Sequence, residues 1–278
     1  MTTNRHLIGH WEIVKYTNAH IEVERDEIAL EYPLTVFVNG EEFATLICSP
    51  ADIKELVIGF LASEGMIRSI MDVQSFHLDR ERGFSYVNLH TSIQNKKEFV
   101  SKRMIGSCCG KSRQFYFYQD AKTAKTILKS ASITPEQCFY LMTELNKYST
   151  LFKRTGGLHN AALCTTEGVM QTFCDIGRHN VLDKIYGYCL LHDISIHDKV
   201  IAFSGRMSSE VILKVAKIGC GILLSKSAPT DLALKLANDL RVTTVGFIRN
   251  EKMNIYTHSE RILIDKGDGE SGESINCH

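Results

Sequence analysis

Residues 159–192 read HNAALCTTEGVMQTFCDIGRHNVLDKIYGYCLLH, and this stretch decides the predicted fold. Two strand-like runs, 159–165 and 169–175, precede a helical run at 180–192. The alternation continues downstream, with strand-like runs at 199–203, 220–225, 242–248 and 253–257 and helical runs at 208–219 and 229–240. Such alternation predicts an α/β layer structure in which helices cover a mostly buried sheet.

A smaller α/β unit is predicted upstream of this region. Residues 32–38 and 43–48 flank Asn39-Gly40, a pair that fits the type I′ turn of a β-hairpin. Further strands are predicted around Phe76 and at residues 86–89. A hairpin of two edge-forming strands, followed by further strands, therefore precedes the larger sheet.

Two helices have clear start signals. The first is predicted to begin with Ser49 as N-cap, Pro50 at the first helical position and Asp52 closing a capping box, and to end at Gly65. A second capping box, residues 134–137, starts another helix. The first helix is predicted to serve in packing, and the second carries Leu141, Met142 and Leu145 on one side.

These patterns divide the chain into three parts. Residues 1–115 are predicted to form the N-terminal α/β unit, which ends in a loop at 92–114 that contains two cysteines. Residues 116–264 are predicted to form the second α/β domain. The tail, 265–278, is polar and glycine-rich and is predicted to be disordered.

The composition is that of a folded globular chain. Of 278 residues, 44% are hydrophobic and 23% are charged, which excludes a disordered, collagenous or low-complexity protein. The longest apolar stretches, such as residues 56–62, are far shorter than the roughly 20 residues that a bilayer span needs. The N-terminus has no apolar signal segment. We therefore expect a cytoplasmic protein with neither a membrane nor a nucleic acid as partner.

The net charge of zero conceals an uneven distribution. Residues 1–100 hold 9 Lys and Arg against 15 Asp and Glu, residues 101–261 hold 22 against 13, and residues 262–278 hold 1 against 4. A basic middle region favours an anionic partner, because clustered positive charge attracts phosphate-bearing ligands. The alternative is a set of solvated surface lysines.

The nine cysteines do not form a disulfide framework, because their number is odd and they are scattered through apolar segments. Five are predicted to be small buried hydrophobes: Cys48, Cys138, Cys164, Cys189 and Cys220. No double set of ligands has the spacing of a structural zinc site. His159 and His179 could suggest a zinc hydrolase, but the deaminase pattern H-x-E followed by P-C-x-x-C is missing. We therefore expect no metal site.

Cys108 and Cys109 are the most suggestive residues for chemistry. They lie in a glycine-rich stretch together with Lys111 and Arg113, and these cations favour the nucleophilic thiolate over the thiol. This pattern predicts a nucleophilic or sulfur-carrying cysteine. The alternative is a pair of incidental cysteines in a surface loop.

Five polar turns of the second region join a glycine or a capping hydroxyl to a cation; they are residues 154–159, 175–180, 204–210, 225–230 and 249–252. Turns at the carboxyl ends of α/β strands bind phosphates through backbone N–H groups and helix N-termini. The five turns together predict a nucleotide or pyrophosphate site, whereas each alone is more typical of an ordinary loop. Asp175 and Asp183 could do acid–base work, hold Arg178 or cap the following helix.

The motifs resemble those of the FdhD family of formate dehydrogenase accessory sulfurtransferases from about Tyr32 to Tyr256. Besides the cysteine loop, the motifs that carry the resemblance are SPADIKELVIGFLASEG, TGGLHNAAL, DIGRHNVLDKIYG, SGRMSSEV, SKSAPTDLALKLA and GFIRNEKMNIYT. The resemblance implies a three-layer C-terminal domain like that of the cytidine deaminases, without their zinc site, and a homodimer.

The resemblance also implies a function. A cysteine persulfide would receive sulfur from a cysteine desulfurase and pass it to the bis-molybdopterin guanine dinucleotide molybdenum cofactor, before that cofactor enters formate dehydrogenase. Cys109 or Cys108 would carry the sulfur. The implied cofactor-binding stretch is Phe247, Ile248, Arg249, Asn250, Glu251 and Lys252. From the polar turns we add Arg206, Arg178 and His179, with GDP as a surrogate ligand.

Two departures from the family pattern affect these expectations. The family's C-G-x-C-G places its first cysteine on Gly106 and its second on Cys109, although a gapped reading equates Cys108 with the first. Cys174 occupies a position that is often glutamate. Two other classes also remain open, a cofactor-binding chaperone without sulfur transfer and a deaminase-like hydrolase.

Overall fold

The structure is a computed structural model that describes residues 7–90, 104–105, 124 and 126–264. The strands of these residues are β1 Ile8–Thr17, β2 His20–Ala29, β3 Tyr32–Val38, β4 Glu41–Cys48, β5 Val73–Asp79, β6 Phe84–Leu89, β7 Met104–Ile105, β8 His159–Cys164, β9 Val169–Asp175, β10 Val200–Phe203, β11 Ile222–Ser225, β12 Thr243–Arg249 and β13 Lys252–Thr257. The α-helices are α1 Ile53–Ser63, α2 Pro135–Tyr148, α3 Thr150–Thr155, α4 Arg178–Leu191, α5 Ser209–Ile218 and α6 Asp231–Leu240.

The larger sheet has six strands in the order β13-β12-β11-β10-β8-β9. Strands β10, β11 and β12 are parallel, while their outer neighbours pair antiparallel. Alternate side chains face opposite sides, so that Ile201 packs with α4, α5 and α6 whereas Ala202 packs with α2. The predicted three-layer α/β arrangement of this region is confirmed.

The smaller sheet has the order β5-β6-β3-β4-β7, and α1 covers it. Asn39 and Gly40 both have positive φ, 50° and 83°, as the type I′ turn requires. The Asn39 side chain also accepts a hydrogen bond of 2.7 Å from the Leu89 amide, which ties the turn to β6. The predicted hairpin is confirmed.

The predicted start of the first helix is wrong. Helix α1 begins at Ile53, and its N-cap is Asp52, which has a left-handed backbone and makes no side-chain capping bond. Ser49 does not cap the helix because its hydroxyl accepts a hydrogen bond of 3.1 Å from the amide of Ile176 instead. A tertiary contact has replaced the local one. The predicted end at Gly65, φ 71°, is confirmed.

The second capping box is confirmed. Thr134 accepts a hydrogen bond from the Gln137 amide, and the Gln137 side chain accepts one from the Thr134 amide at 2.9 Å. Helix α2 therefore begins at Pro135, and it buries Leu141 and Leu145 under the six-stranded sheet.

Three strands lie where the sequence predicted none. Strands β1 and β2 form a two-stranded ribbon. The sequence does not predict this ribbon because neither of its faces is continuously apolar. The two residues of β7 pair with β4 inside the predicted loop 92–114. The rest of that loop, the boundary at 115 and the tail 265–278 lie outside the described residues, so the three-part division stays a prediction. No helix in the described ranges is long and apolar enough to cross a membrane.

Helices α1 and α4 cross with their backbones in contact. A Cβ on Gly59 would lie 1.8 Å from the carbonyl oxygen of Asp183, and one on Gly187 would lie 1.9 Å from that of Glu55. Real side chains do not approach backbone atoms so closely. The two glycines therefore set the distance between the helix of the small sheet and the first helix of the large one.

We predict that Gly59→Ala lowers the free energy of unfolding by about 1–3 kcal/mol or more, because the added methyl group must push two packed helices apart. Thermal denaturation measures this as a lower melting temperature. The control is Gly168→Ala, where an added Cβ would meet no atom within 4 Å. Equal melting temperatures for the two variants would contradict the close crossing.

Candidate functional site

Five polar turns meet at one edge of the six-stranded sheet. Because β10, β11 and β12 are parallel, the turns that follow them lie at the same edge. Strand β8 runs antiparallel to β10 and starts there, and β9 ends there because Asp175 pairs with His159. The structure therefore brings together the turns at 154–159, 175–180, 204–210, 225–230 and 249–252.

Serine hydroxyls lock two of these turns to each other. Ser204 donates its amide to the carbonyl of Asn160, whose own amide donates to the Ser204 hydroxyl, both at 2.9 Å. The hydroxyl of Ser225 donates to the carbonyl of Gly205 at 2.8 Å, and that of Ser227 donates to the carbonyl of Ser204 at 3.2 Å. The edge is thus a rigid set of backbone loops.

Gly205 lies close to His159 at this edge. A Cβ on Gly205 would lie 2.7 Å from the Phe203 ring and 3.4 Å from Nδ1 of His159. Burial lowers the pKa of His159 below its usual 6.5, and the nearby Arg178 guanidinium lowers it further. His159 therefore presents a neutral imidazole at pH 7.

The backbone of Phe247, just before the turn at 249–252, is strained. Phe247 has a left-handed backbone, φ 54°, within a β-bulge of β12. Its amide donates to the carbonyl of Ser227 at 3.4 Å, so the bulge joins β12 to the neighbouring turn. Such a conformation costs a non-glycine residue about 1–3 kcal/mol and is held only where the surroundings enforce it.

The cofactor-binding residues expected from the sequence have different accessibilities. Arg206 and the four residues of the hairpin turn are exposed: Arg249, Asn250, Glu251 and Lys252. Phe247 is half-buried. Ile248 is only 2% exposed because its side chain packs in the core, so that it could reach a ligand only through its backbone. The binding role of this stretch stays a prediction.

Arg178 and His179 are the first two residues of α4, and both are half-buried. Nε2 of His179 lies 2.8 Å from a carboxylate oxygen of Glu210 in the first turn of α5. The N-caps of these helices, Gly177 and Ser208, make no side-chain capping bond. Neither helix is therefore capped by the side chain of its own N-cap residue.

Two buried polar atoms at the edge have no partner among the described residues. They are Nδ2 of Asn160, a residue that is 5% exposed, and the hydroxyl of Ser208. A buried donor without an acceptor costs about 1–3 kcal/mol. This edge therefore suits a ligand with several hydrogen-bond acceptors.

Asp175 is the centre of a buried network behind the edge. Its carboxylate lies 2.7 Å from Nζ of Lys184 and accepts hydrogen bonds from the Gly177 amide at 2.9 Å and the Asn180 side chain at 2.8 Å. It also accepts the Ser49 amide at 3.1 Å. Asp175 and Lys184 are completely buried, so this carboxylate holds the turn in place rather than exchanging protons with a ligand.

The charge state of Lys184 follows from these contacts. Burial is the largest influence on the pKa of Lys184 and lowers it, but the carboxylates of Asp175 and Asp52 together outweigh burial and raise the pKa above its usual 10.5. Lys184 is therefore a buried ammonium group, and it also donates to the carbonyl of Cys174 at 2.9 Å.

Asp183 has a similar structural role. It lies 2.5 Å from Nζ of Lys214 and accepts a hydrogen bond of 2.6 Å from the Ser63 hydroxyl, so that it joins α4 to α5 and α1. Lys217 donates to the carbonyl of Ser63 at 2.6 Å. These contacts favour the structural alternative for both aspartates over acid–base catalysis.

The predicted burial of five cysteines is confirmed. Burial raises the pKa of Cys48, Cys138, Cys164 and Cys189 to about 12 and that of Cys220 to about 11. Burial also raises the pKa of the half-buried Cys174. These six thiols are protonated at neutral pH and are poor nucleophiles. Cys108 and Cys109 lie outside the described residues.

Metal ligands are not grouped in the part of the chain that the structure describes, where no three His, Cys, Asp or Glu side chains could share an ion. Sequence reasoning missed Asn160 and the part that Lys184 plays. The signal for Lys184 was a lysine within an otherwise apolar helix face, which requires a buried counter-charge.

The model of the FdhD/NarQ family matches residues 29–263. A sulfur carrier protein FdhD from Geobacillus kaustophilus is 58% identical over 252 residues, which are 91% of this chain and 96% of that protein. Its counterpart from Halalkalibacterium halodurans is 57% identical over 257 residues, 92% of this chain and 95% of that protein.

The fold also matches a crystal structure from Desulfotalea psychrophila of a protein assigned as a formate dehydrogenase accessory protein. The TM-score is 0.76 at 23% identity, and the match covers 92% of this chain and all of that one. This likeness supports the two-sheet α/β fold.

We predict that Asp175→Asn destabilises the protein by about 3–5 kcal/mol, because it leaves the ammonium group of Lys184 buried without a counter-charge. The control is Asp231→Asn, which breaks the exposed pair with Lys235 and should cost less than about 1 kcal/mol. Urea denaturation of both variants measures the difference. A cost of similar size for the two would contradict the role given to Asp175.

Proposed function

Because the chain belongs to the FdhD/NarQ family, we propose that it is a sulfur carrier that serves formate dehydrogenase. It accepts sulfur from a cysteine desulfurase as a cysteine persulfide. It then transfers this sulfur to the bis-molybdopterin guanine dinucleotide molybdenum cofactor, its substrate, before the cofactor enters the dehydrogenase. The chain is thus a sulfurtransferase of the cytoplasm, and it works as a homodimer.

The state of the described cysteines is the observation that carries this proposal. All six have raised pKa values because of burial, so none of them supplies a thiolate at neutral pH. Cys109 and Cys108 stand instead beside Lys111 and Arg113, which favour the thiolate. One of these two thiolates attacks the outer sulfur of the desulfurase persulfide, and the desulfurase cysteine leaves as a thiolate, so that no oxidant is needed.

The strand that precedes the two cysteines lies in the small sheet, beside β4. Ile105, the last residue of β7, pairs with Leu46, three residues before Ser49. Ser49 in turn donates its amide to Asp175, behind the edge. Cys108 and Cys109 follow β7 in the sequence, and in this proposal their segment brings the persulfide to a cofactor at the edge.

The edge offers the groups that a guanine dinucleotide requires. The cations of Arg206, Arg249 and Lys252 can neutralise pyrophosphate, and the first turns of α4 and α5, with Arg178 and His179, can add backbone donors. The buried Nδ2 of Asn160 can donate to the same ligand. GDP carries the same groups and is a suitable probe.

We predict that replacing both Cys108 and Cys109 by alanine abolishes formate dehydrogenase activity in cells whose only carrier is the variant, because both thiols proposed to carry the sulfur are lost. The single variants identify which cysteine carries the sulfur. Cys189→Ala is the control, because its thiol is buried and its pKa is about 12. Normal activity with the double variant would reject sulfur transfer and leave the cofactor-binding chaperone as the function.

We predict that Arg249→Ala weakens GDP binding by at least about tenfold, because a charge-assisted hydrogen bond contributes roughly 1.5–3 kcal/mol. Calorimetry measures the affinity, which should also fall with added salt. The control is Lys129→Ala, an exposed cation two residues after Ile127, whose amide bonds to Leu240 at the opposite end of α6. Equal affinities for the two variants would remove Arg249 from the site.

A further inference from the structure

The N-terminal ribbon, β1 and β2, is anchored near its base to the rest of the described chain. Leu7 and Ile8 pack with Leu151 and Leu158, and the amide of Leu30 donates to the carbonyl of Leu7 at 3.0 Å. A bidentate ion pair between Glu27 and Arg154 adds to this anchor. Beyond this anchor, most side chains of the ribbon are exposed.

One face of the ribbon is apolar towards its tip. Val14 lies opposite Val23, and Tyr16 lies opposite Ile21. These four side chains are 66–71% exposed, although they are neighbours on the same face. We call them the apolar face of the ribbon.

The opposite face differs in charge. It carries Trp11, which is 67% exposed, and Lys15 together with three acidic residues, Glu22, Glu24 and Asp26. Lys15 forms an ion pair of 2.8 Å with Glu24 on this face. The face is therefore acidic and solvated.

The exposure of the apolar face indicates a contact that the described residues, 7–90, 104–105, 124 and 126–264, do not make. A two-stranded ribbon is only marginally stable in water by itself, and four adjacent exposed apolar side chains are typical of a protein interface. The apolar face therefore has the character of a surface that another protein surface covers.

We propose that a second copy of this chain covers the apolar face, with the two ribbons packed face to face about a two-fold axis. This proposal rests on the homodimer in the proposed function and names the surface that forms it. In a two-fold contact the same surface of both copies meets. A positive charge on that surface must therefore be matched by a negative charge elsewhere on the same surface.

The charges next to the apolar face meet this requirement. Glu12 lies opposite Arg25 on the same face, beside the four apolar residues. A two-fold contact can set Glu12 of each copy against the guanidinium of the other, which leaves no net charge at the rim. The acidic face, by contrast, would repel its own copy. Balanced charge around an apolar centre thus favours a second copy over a basic partner protein.

The test is the oligomeric state of the full chain under reducing conditions, measured by sedimentation equilibrium. Wild type should be a dimer at micromolar concentration. The double variant Val14→Lys with Ile21→Lys should raise the dissociation constant at least about a hundredfold, because it buries lysines at the contact. Trp11→Lys, on the acidic face, is the matched control and should remain a dimer.

Hydrogen exchange of the wild-type chain gives a second measurement that needs no variant. Ribbon amides should exchange more slowly as the protein concentration rises. A monomeric wild type, a double variant that still dimerises, or ribbon protection that is independent of concentration would overturn the proposal. Persulfide loading is assayed in parallel; failure of loading alone would overturn sulfur transfer and leave the dimer surface standing.

Discussion

The carboxylate of Asp175 fixes how the two sheets meet. It has four partners, which are Lys184, Asn180 and the backbone amides of Ser49 and Gly177. The loop that contains Ser49 follows β4 of the small sheet, and Gly177 precedes α4, which packs on the six-stranded sheet. The crossing of α1 and α4 closes the same junction, since only glycines permit their contact. One buried carboxylate therefore fixes the position of the loop after β4 relative to the turns that form the edge. Strand β4 in turn pairs with β7, the strand that precedes the two cysteines.

This arrangement separates two chemical tasks within one chain. The described part keeps its own thiols protonated by burying them, so that they do not compete for sulfur. The edge contributes cations and backbone amides, whereas Asp175 and Asp183 are held in buried ion pairs behind it. In the proposed function, the edge binds and orients a phosphate-rich ligand, and the reactive sulfur is brought to it from another segment.

Local patterns predicted those parts of the fold that local interactions determine. The Asn39-Gly40 turn and the capping box at Thr134 form as expected because each is complete within four residues. Gathering of the polar turns could also be predicted, since parallel strands end at one edge. The start of α1 could not, because Ser49 binds a segment about 126 residues away. The sequence did not predict the N-terminal ribbon, because most of its side chains are exposed and it therefore has no regular apolar period.

The central claim is that one of the two adjacent cysteines carries sulfur. It is tested most directly by mass spectrometry of the full-length protein after incubation with a cysteine desulfurase and cysteine. The account predicts one additional sulfur atom on the peptide that contains Cys108 and Cys109, removed by a reducing thiol. An unmodified peptide, or sulfur found instead on Cys174, would contradict it.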